Sequence, residues 1–172
     1  MEKNHLPLEI ERKFIIDMPD IVMLTKQEGV TVSHITQTYL KGEGDTHARV
    51  RCRVCEGVPV YTHTSKKALS GMTKIEIETI ITESVYQAYL KEADPARATL
   101  YKTRYAISHK GLIYEVDIYP FWEDQAIMEV ELESETQPIS PPPYLHIIRE
   151  VTEDKTYSNR SLAAWLKTKQ DI

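Results

Sequence analysis

Cysteine is close to absent from this chain. Only Cys52 and Cys55 occur, and a lone C-x-x-C lacks the second pair of a zinc ribbon and the strand-to-helix setting of a thioredoxin-type motif. Two reduced thiols beside a hairpin turn are expected. Long apolar runs are missing too. The longest are short and interrupted, and the first residues carry no basic segment followed by an apolar one, so neither a signal peptide nor a membrane span is expected. A basic surplus is also lacking. The formal net charge of −5 speaks against a dedicated binder of duplex nucleic acid. There are no internal repeats, and 172 residues with 41% hydrophobic content suit a single domain, residues 1–172, with a sizeable core. A soluble, cytoplasmic protein is expected.

What the chain does have is charge in strand alternation. In Leu8-Glu9-Ile10-Glu11-Arg12-Lys13-Phe14, Glu9, Glu11 and Lys13 share one face of a strand while Ile10, Arg12 and Phe14 take the other. The device recurs along the chain. Arg49, Arg51 and Arg53 alternate with Val50, Cys52 and Val54, and Lys74, Glu76 and Glu78 stand opposite Ile75 and Ile77. Lys102 and Arg104 share a face, as do Glu115 and Asp117, and so do Glu129, Glu131 and Glu133.

Turn and cap residues divide these strands. Asp17 to about Glu28 reads as a short helix ended by Gly29, Val32–Lys41 as a strand, and Gly42 to Asp45 as its turn. Glu56-Gly57 turns the chain into a strand over Val60–Lys66, and Lys67–Thr73, with Ser70-Gly71, reads as a loop. Thr82 caps a helix that Pro95 closes. Leu100–Ile107 and Leu112–Tyr119 form a hairpin about Lys110-Gly111, and Ile127–Glu133 is the last clear strand. Tyr144–Val151 forms a short packed segment, and Ser158–Lys169 reads as a terminal helix. The class is α+β, mainly β, with about eight antiparallel strands.

The direction of the charged faces decides the function. On an ordinary outward face, opposite charges would be placed to pair across strands. Here runs of one sign dominate, and Glu129, Glu131 and Glu133 lie only about 7 Å apart along their strand, so they repel unless cations intervene. A closed antiparallel barrel with these faces inward resolves the conflict. Glu9, Glu11, Glu76, Glu78, Glu115, Asp117, Glu129, Glu131 and Glu133 then face Lys13, Arg49, Arg51, Arg53, Lys66, Lys102 and Arg104. Such a lumen suits divalent cations together with a polyanion.

These residues resemble the CYTH superfamily, the triphosphate tunnel metalloenzymes. Glu9-Ile10-Glu11-Arg12-Lys13 matches the E-x-E-x-K signature. In order after it come Gln37-Thr38-Tyr39-Leu40, Arg49-Val50-Arg51, Thr64-Ser65-Lys66, Glu76-Ile77-Glu78, Lys102-Thr103-Arg104-Tyr105, Glu115-Val116-Asp117 and Glu129-Val130-Glu131. Tyr157-Ser158-Asn159 looks like the tail of the small bacterial members. The resemblance covers nearly the whole chain and implies a closed eight-stranded antiparallel barrel with a few flanking helices. It implies Mg2+ or Mn2+ held among Glu9, Glu11, Asp117, Glu129, Glu131 and Glu133. Phosphate oxygens would be held by Lys13, Arg49, Arg51, Lys66, Lys102 and Arg104, with Glu11, Lys13 and Glu131 in catalytic roles. The substrate would be a small-molecule triphosphate, with inorganic tripolyphosphate ahead of ATP or thiamine triphosphate, and the product orthophosphate. A class IV adenylyl cyclase, a thiamine triphosphatase and a non-catalytic polyphosphate- or nucleotide-binding module stand as alternatives, as does an open sheet that binds a protein; a homodimer is compatible with any of them. Lys74 and Arg53 are read either as lumen residues or as surface charges, and Lys91 and Arg97 as part of a solvated helix face, although relatives often have a helix at the tunnel mouth. His63 is read as a packed or exposed side chain.

Overall fold

The computed structural model describes residues 8–42, 47–69 and 72–170. The strands are β1 (Leu8–Asp17), β2 (Val30–Tyr39), β3 (His47–Cys55), β4 (Val58–Ala68), β5 (Thr73–Ile81), β6 (Leu100–His109), β7 (Leu112–Ile118), β8 (Gln125–Glu131) and β9 (Ile147–Glu150). The helices are α1 (Ile21–Thr25), α2 (Glu83–Leu90) and α3 (Asn159–Gln170), with a 3-10 turn at Lys155–Tyr157. Every pairing is antiparallel, and β1 closes the circle by pairing with both β8 and β5. The expected eight-stranded barrel is therefore present, and β9 is added outside it on the free part of β1, at Phe14 to Ile16.

Two hairpins set the register of the basic and acidic strands. Glu56-Gly57 and Lys110-Gly111 both adopt left-handed backbone, with φ of 49° and 78° and of 48° and 78°, the geometry of a two-residue turn that matches strand twist. The first aligns Arg49 with Thr64 and Arg51 with Thr62; the second aligns Arg104 with Asp117.

Three apolar groups hold the barrel. Ile16, Phe14, Tyr114, Val116, Met128 and Val130 pack on its outside beneath α1 and Leu145. Leu40, Val50 and Tyr86 pack where α2 covers β3 and β4. The third group lies within one end of the barrel: Ile15, Tyr39, Leu100, Tyr119 and Ile127 form a floor, and Leu162 and Ala163 of α3 cap it.

Several expected boundaries shift for physical reasons. β1 runs on to Asp17, because near the floor both of its faces are buried and strict alternation ends at Ile15 and Ile16. The first helix shrinks to α1, with Asp20 capping it through Met23 N–H. β4 reaches Ala68, which shortens the expected loop, and β8 stops at Glu131, which leaves Glu133 beyond the strand. Glu43 to Asp45 of the expected turn and the Ser70-Gly71 pair lie outside the described residues. No described helix is long and apolar enough to cross a membrane.

Candidate functional site

The charged faces point inward and line a cavity of about 500 Å³. Its residues fall into an inner group next to the floor and an outer group at the mouth. Alternation along β1 places Lys13 one step from Ile15 of the floor and Glu11 and Glu9 progressively further out.

The inner group is a closed ionic network. Asp117 is fully buried and accepts from Lys102 Nζ at 2.5 Å and from Arg104 Nε and Nη2, each at 2.7 Å. Glu129 accepts from Arg104 Nη2 at 3.0 Å and pairs with Lys13 Nζ at 2.8 Å, while Arg104 also contacts Glu115. These contacts follow from register, because Arg104 stands opposite Asp117 and Lys13 opposite Glu129. Burial would neutralise Asp117 and Glu129, but Arg104 with Lys102 holds Asp117 below its ordinary value and Lys13 with Arg104 holds Glu129 well below. Burial also opposes the charge on Lys13, yet Glu129 and Glu11 raise it overall. Lys102 goes the other way: burial and the adjacent Arg104 outweigh Asp117 and bring it down to about 8.

The outer group is more open. Lys66 Nζ lies 2.7 Å from Glu9 Oε2 and contacts Glu76, Lys74 contacts Glu11, and Arg51 donates to Glu78 at 2.9 Å. Glu131 faces Glu11 directly across β1 and β8. Its carboxyl is raised by burial and then by the charges of Glu9 and Glu11, the mark of crowded carboxylates. Burial and a hydrogen bond with Glu76 raise Glu9 as well.

Most residues singled out in the sequence meet here. Glu9, Glu11, Lys13, Arg49, Arg51, Lys66, Lys102, Arg104, Glu129 and Glu131 line the cavity; Asp117 lies behind it, sealed by Lys102 and Arg104, and Glu133 is not among the lining residues. Arg53 lines an adjoining cavity of about 200 Å³ that shares Arg51 and Glu78, and it donates to Ser33 at 3.0 Å. Arg97 pairs with Asp94, His63 stacks on Tyr89 at 4.9 Å, and Lys91 caps the end of α2. Lys74, which the sequence leaves open between lumen and surface, lines the main cavity. Its inward register with Glu76 and Glu78 was the available signal. The α3 entry, Ser158 to Ser161, also lines the cavity, and sequence reasoning placed that helix without placing it against the barrel. Gln37 is buried on a lumen strand, donates to Tyr39 Oη at 2.9 Å and leaves its Oε1 without a partner.

The donor chemistry suits a hard divalent cation, since Glu9, Glu11 and Glu131 offer crowded carboxylate oxygens. Among the described residues, however, no three ligating side chains converge on one point. Lys66 and Lys74 occupy Glu9 and Glu11 instead.

No protein-family model and no curated protein sequence matches the chain. Solved structures do match. Two crystal structures of the protein NE1496, one described as a hypothetical protein and one as an inorganic triphosphatase, have TM-scores of 0.57 and 0.55 at 27% and 26% identity. Both cover 91% of this chain, and 97% and 94% of their own. The PH1819 protein from Pyrococcus horikoshii OT3 shares the fold, with a TM-score of 0.53 at 17% identity over 74% of this chain and 80% of its own.

Proposed function

Because this chain has the tunnel fold of the CYTH superfamily, we propose that it is a divalent-metal-dependent hydrolase of triphosphate-containing substrates, with inorganic tripolyphosphate foremost. The observation that carries this reading is one cavity lined both by lysines and arginines of several strands and by the carboxylates of β1 and β8. A site built for an anion alone gains nothing from those carboxylates. A site for a metal–triphosphate complex needs both sets.

Each residue then has a task. Arg49 and Arg51 present guanidinium forks, and Lys13, Lys66, Lys102 and Arg104 present further donors, to non-bridging phosphate oxygens. Glu9, Glu11 and Glu131 would hold Mg2+ or Mn2+, and their crowding on the mouth side fits that role. When bound, the metal neutralises phosphate charge and lowers the pKa of bound water. Asp117 and Glu129, assigned to the metal on resemblance, serve here mainly by orienting Lys102, Arg104 and Lys13. The apolar floor of Ile15, Leu100, Tyr119 and Ile127 excludes water from the inner end, so the phosphate chain is held without bulk solvent there. Water attack on the terminal phosphorus would release orthophosphate and leave a diphosphate product.

The test is orthophosphate release from tripolyphosphate, ATP and thiamine triphosphate with Mg2+ or Mn2+, comparing the parent chain with Glu131→Gln and Lys13→Ala. Release from tripolyphosphate that both substitutions abolish, in variants with parental circular dichroism, is expected. No orthophosphate from any of the three, with pyrophosphate produced from ATP instead, would replace the hydrolase reading with a cyclase.

A further inference from the structure

The mouth of the tunnel is held by ion pairs that an incoming anion and an incoming cation would both have to break. Lys66 bridges Glu9 and Glu76, and Lys74 holds Glu11. Lys74 makes that contact diagonally, since its directly opposite residue on β1 is Glu9. Two ammonium groups thus sit among carboxylates that would otherwise repel one another. Among the described residues those carboxylates do not gather on one point, even though Glu11 and Glu131 are cross-strand neighbours.

Resting on the function proposed above, we infer that Lys66 and Lys74 are exchangeable counter-ions that couple binding of the triphosphate to binding of the divalent cation. A triphosphate offers each ammonium group oxygens of higher charge density than a carboxylate. Lysines that turn to phosphate leave Glu9 and Glu11 free beside Glu131, and the metal takes their place. Either ligand arriving alone must displace the lysines unaided. Whichever arrives second finds the exchange already made, so each raises the affinity of the other by the same factor.

Solvent access makes this exchange feasible at the mouth and not deeper. The side chains of the Lys66 and Lys74 pairs are between 14% and 25% exposed, whereas the Lys102–Asp117 pair is at 2% and 0%. Partly wet pairs trade partners at little cost; dry ones do not. Lys74 is the sharper assignment, because the carboxylate it holds, Glu11, is the one that faces Glu131.

Calorimetric titration of Mn2+, with electron paramagnetic resonance to count bound metal, tests this in the presence and absence of a methylene-bridged tripolyphosphate analogue that cannot be hydrolysed. In the parent chain the analogue should tighten Mn2+ binding at least about fivefold, the lower end of ordinary coupling between sites. In Lys74→Met, Mn2+ alone should bind more tightly and the coupling should shrink, while Lys74→Arg should retain it. The parent titrations need no variant to fold. Independent binding of both ligands in the parent chain would overturn the inference and leave the tunnel reading intact. Unchanged coupling in folded Lys74→Met would overturn the role of Lys74. Absence of binding by the analogue and by Mn2+, alone or together, would overturn the inference and the functional reading alike.

Discussion

The two halves of the tunnel carry the same kinds of charge and use them differently. Asp117 is dry and Glu129 nearly so, and both are matched by Lys13, Lys102 or Arg104. Around Glu9 and Glu11 the pairs are partly wet, and Glu131 makes no ion pair among the described residues. A dry pair loses heavily if one partner is removed, because an uncompensated buried charge remains. A wet pair loses little, since water and salt take the place of the missing group. The inner network therefore fixes geometry, and the outer one stays negotiable.

The sharpest way to break this contrast is to remove one cation from each half. Arg104→Met should cost about 3–5 kcal/mol in urea unfolding, since Asp117 and Glu129 each lose a buried partner. Lys74→Met should stay within about 1 kcal/mol of the parent chain. Equal losses would show that the mouth is held as firmly as the interior. Next in size is Leu162→Ala, which removes the α3 side chain from the buried floor and should cost about 2–4 kcal/mol by the same measurement.

The pH dependence sharpens the contrast further. Folding brings Lys102 down to about 8, so above that pH the folded protein has released a proton that the unfolded chain keeps until the ordinary lysine range near ~10.4. The penalty of charging Lys102 is therefore full below about 8 and is relieved as pH rises toward 10. Urea midpoints at pH 7, 9 and 10 should show the stability of the parent chain rising relative to Lys102→Met. A constant difference would mean that Lys102 keeps its proton throughout.

The smallest effect is expected at Glu131. Its raised pKa reflects burial and repulsion from Glu9 and Glu11, so Glu131→Gln should slightly raise the melting temperature of the metal-free protein at neutral pH while abolishing orthophosphate release. A lower melting temperature would assign Glu131 a structural role at the mouth.

Much of the barrel was legible because a charge at every second residue is hard to misread. Arg49, Arg51 and Glu129 to Glu131 declare one face of their strands, and the glycine turns at Gly57 and Gly111 fix which strands return on which. What escaped were places where alternation fails. Near the floor both faces of β1 are apolar, so Ile15 and Ile16 read as the end of a strand that in fact continues. The capping by α3 escaped for another reason: amphipathic spacing puts Leu162, Trp165 and Leu166 on an apolar side, but only the closed barrel supplies the surface formed by Tyr119 and Ile127, and it buries Leu162 and Ala163 while Trp165 stays 42% exposed. The face of Lys74 was legible from its register with Glu76 and Glu78, but its contact with Glu11 is seen only once β5 lies beside β1.

With α3 as its stopper, the tunnel is plugged at one end and becomes a socket, and a socket reads ends. On the function proposed above, a substrate would reach the floor only by its terminus. The mouth is then entrance and exit at once, and whatever reaches the floor of Ile15, Tyr39 and Leu100 leaves by the way it came.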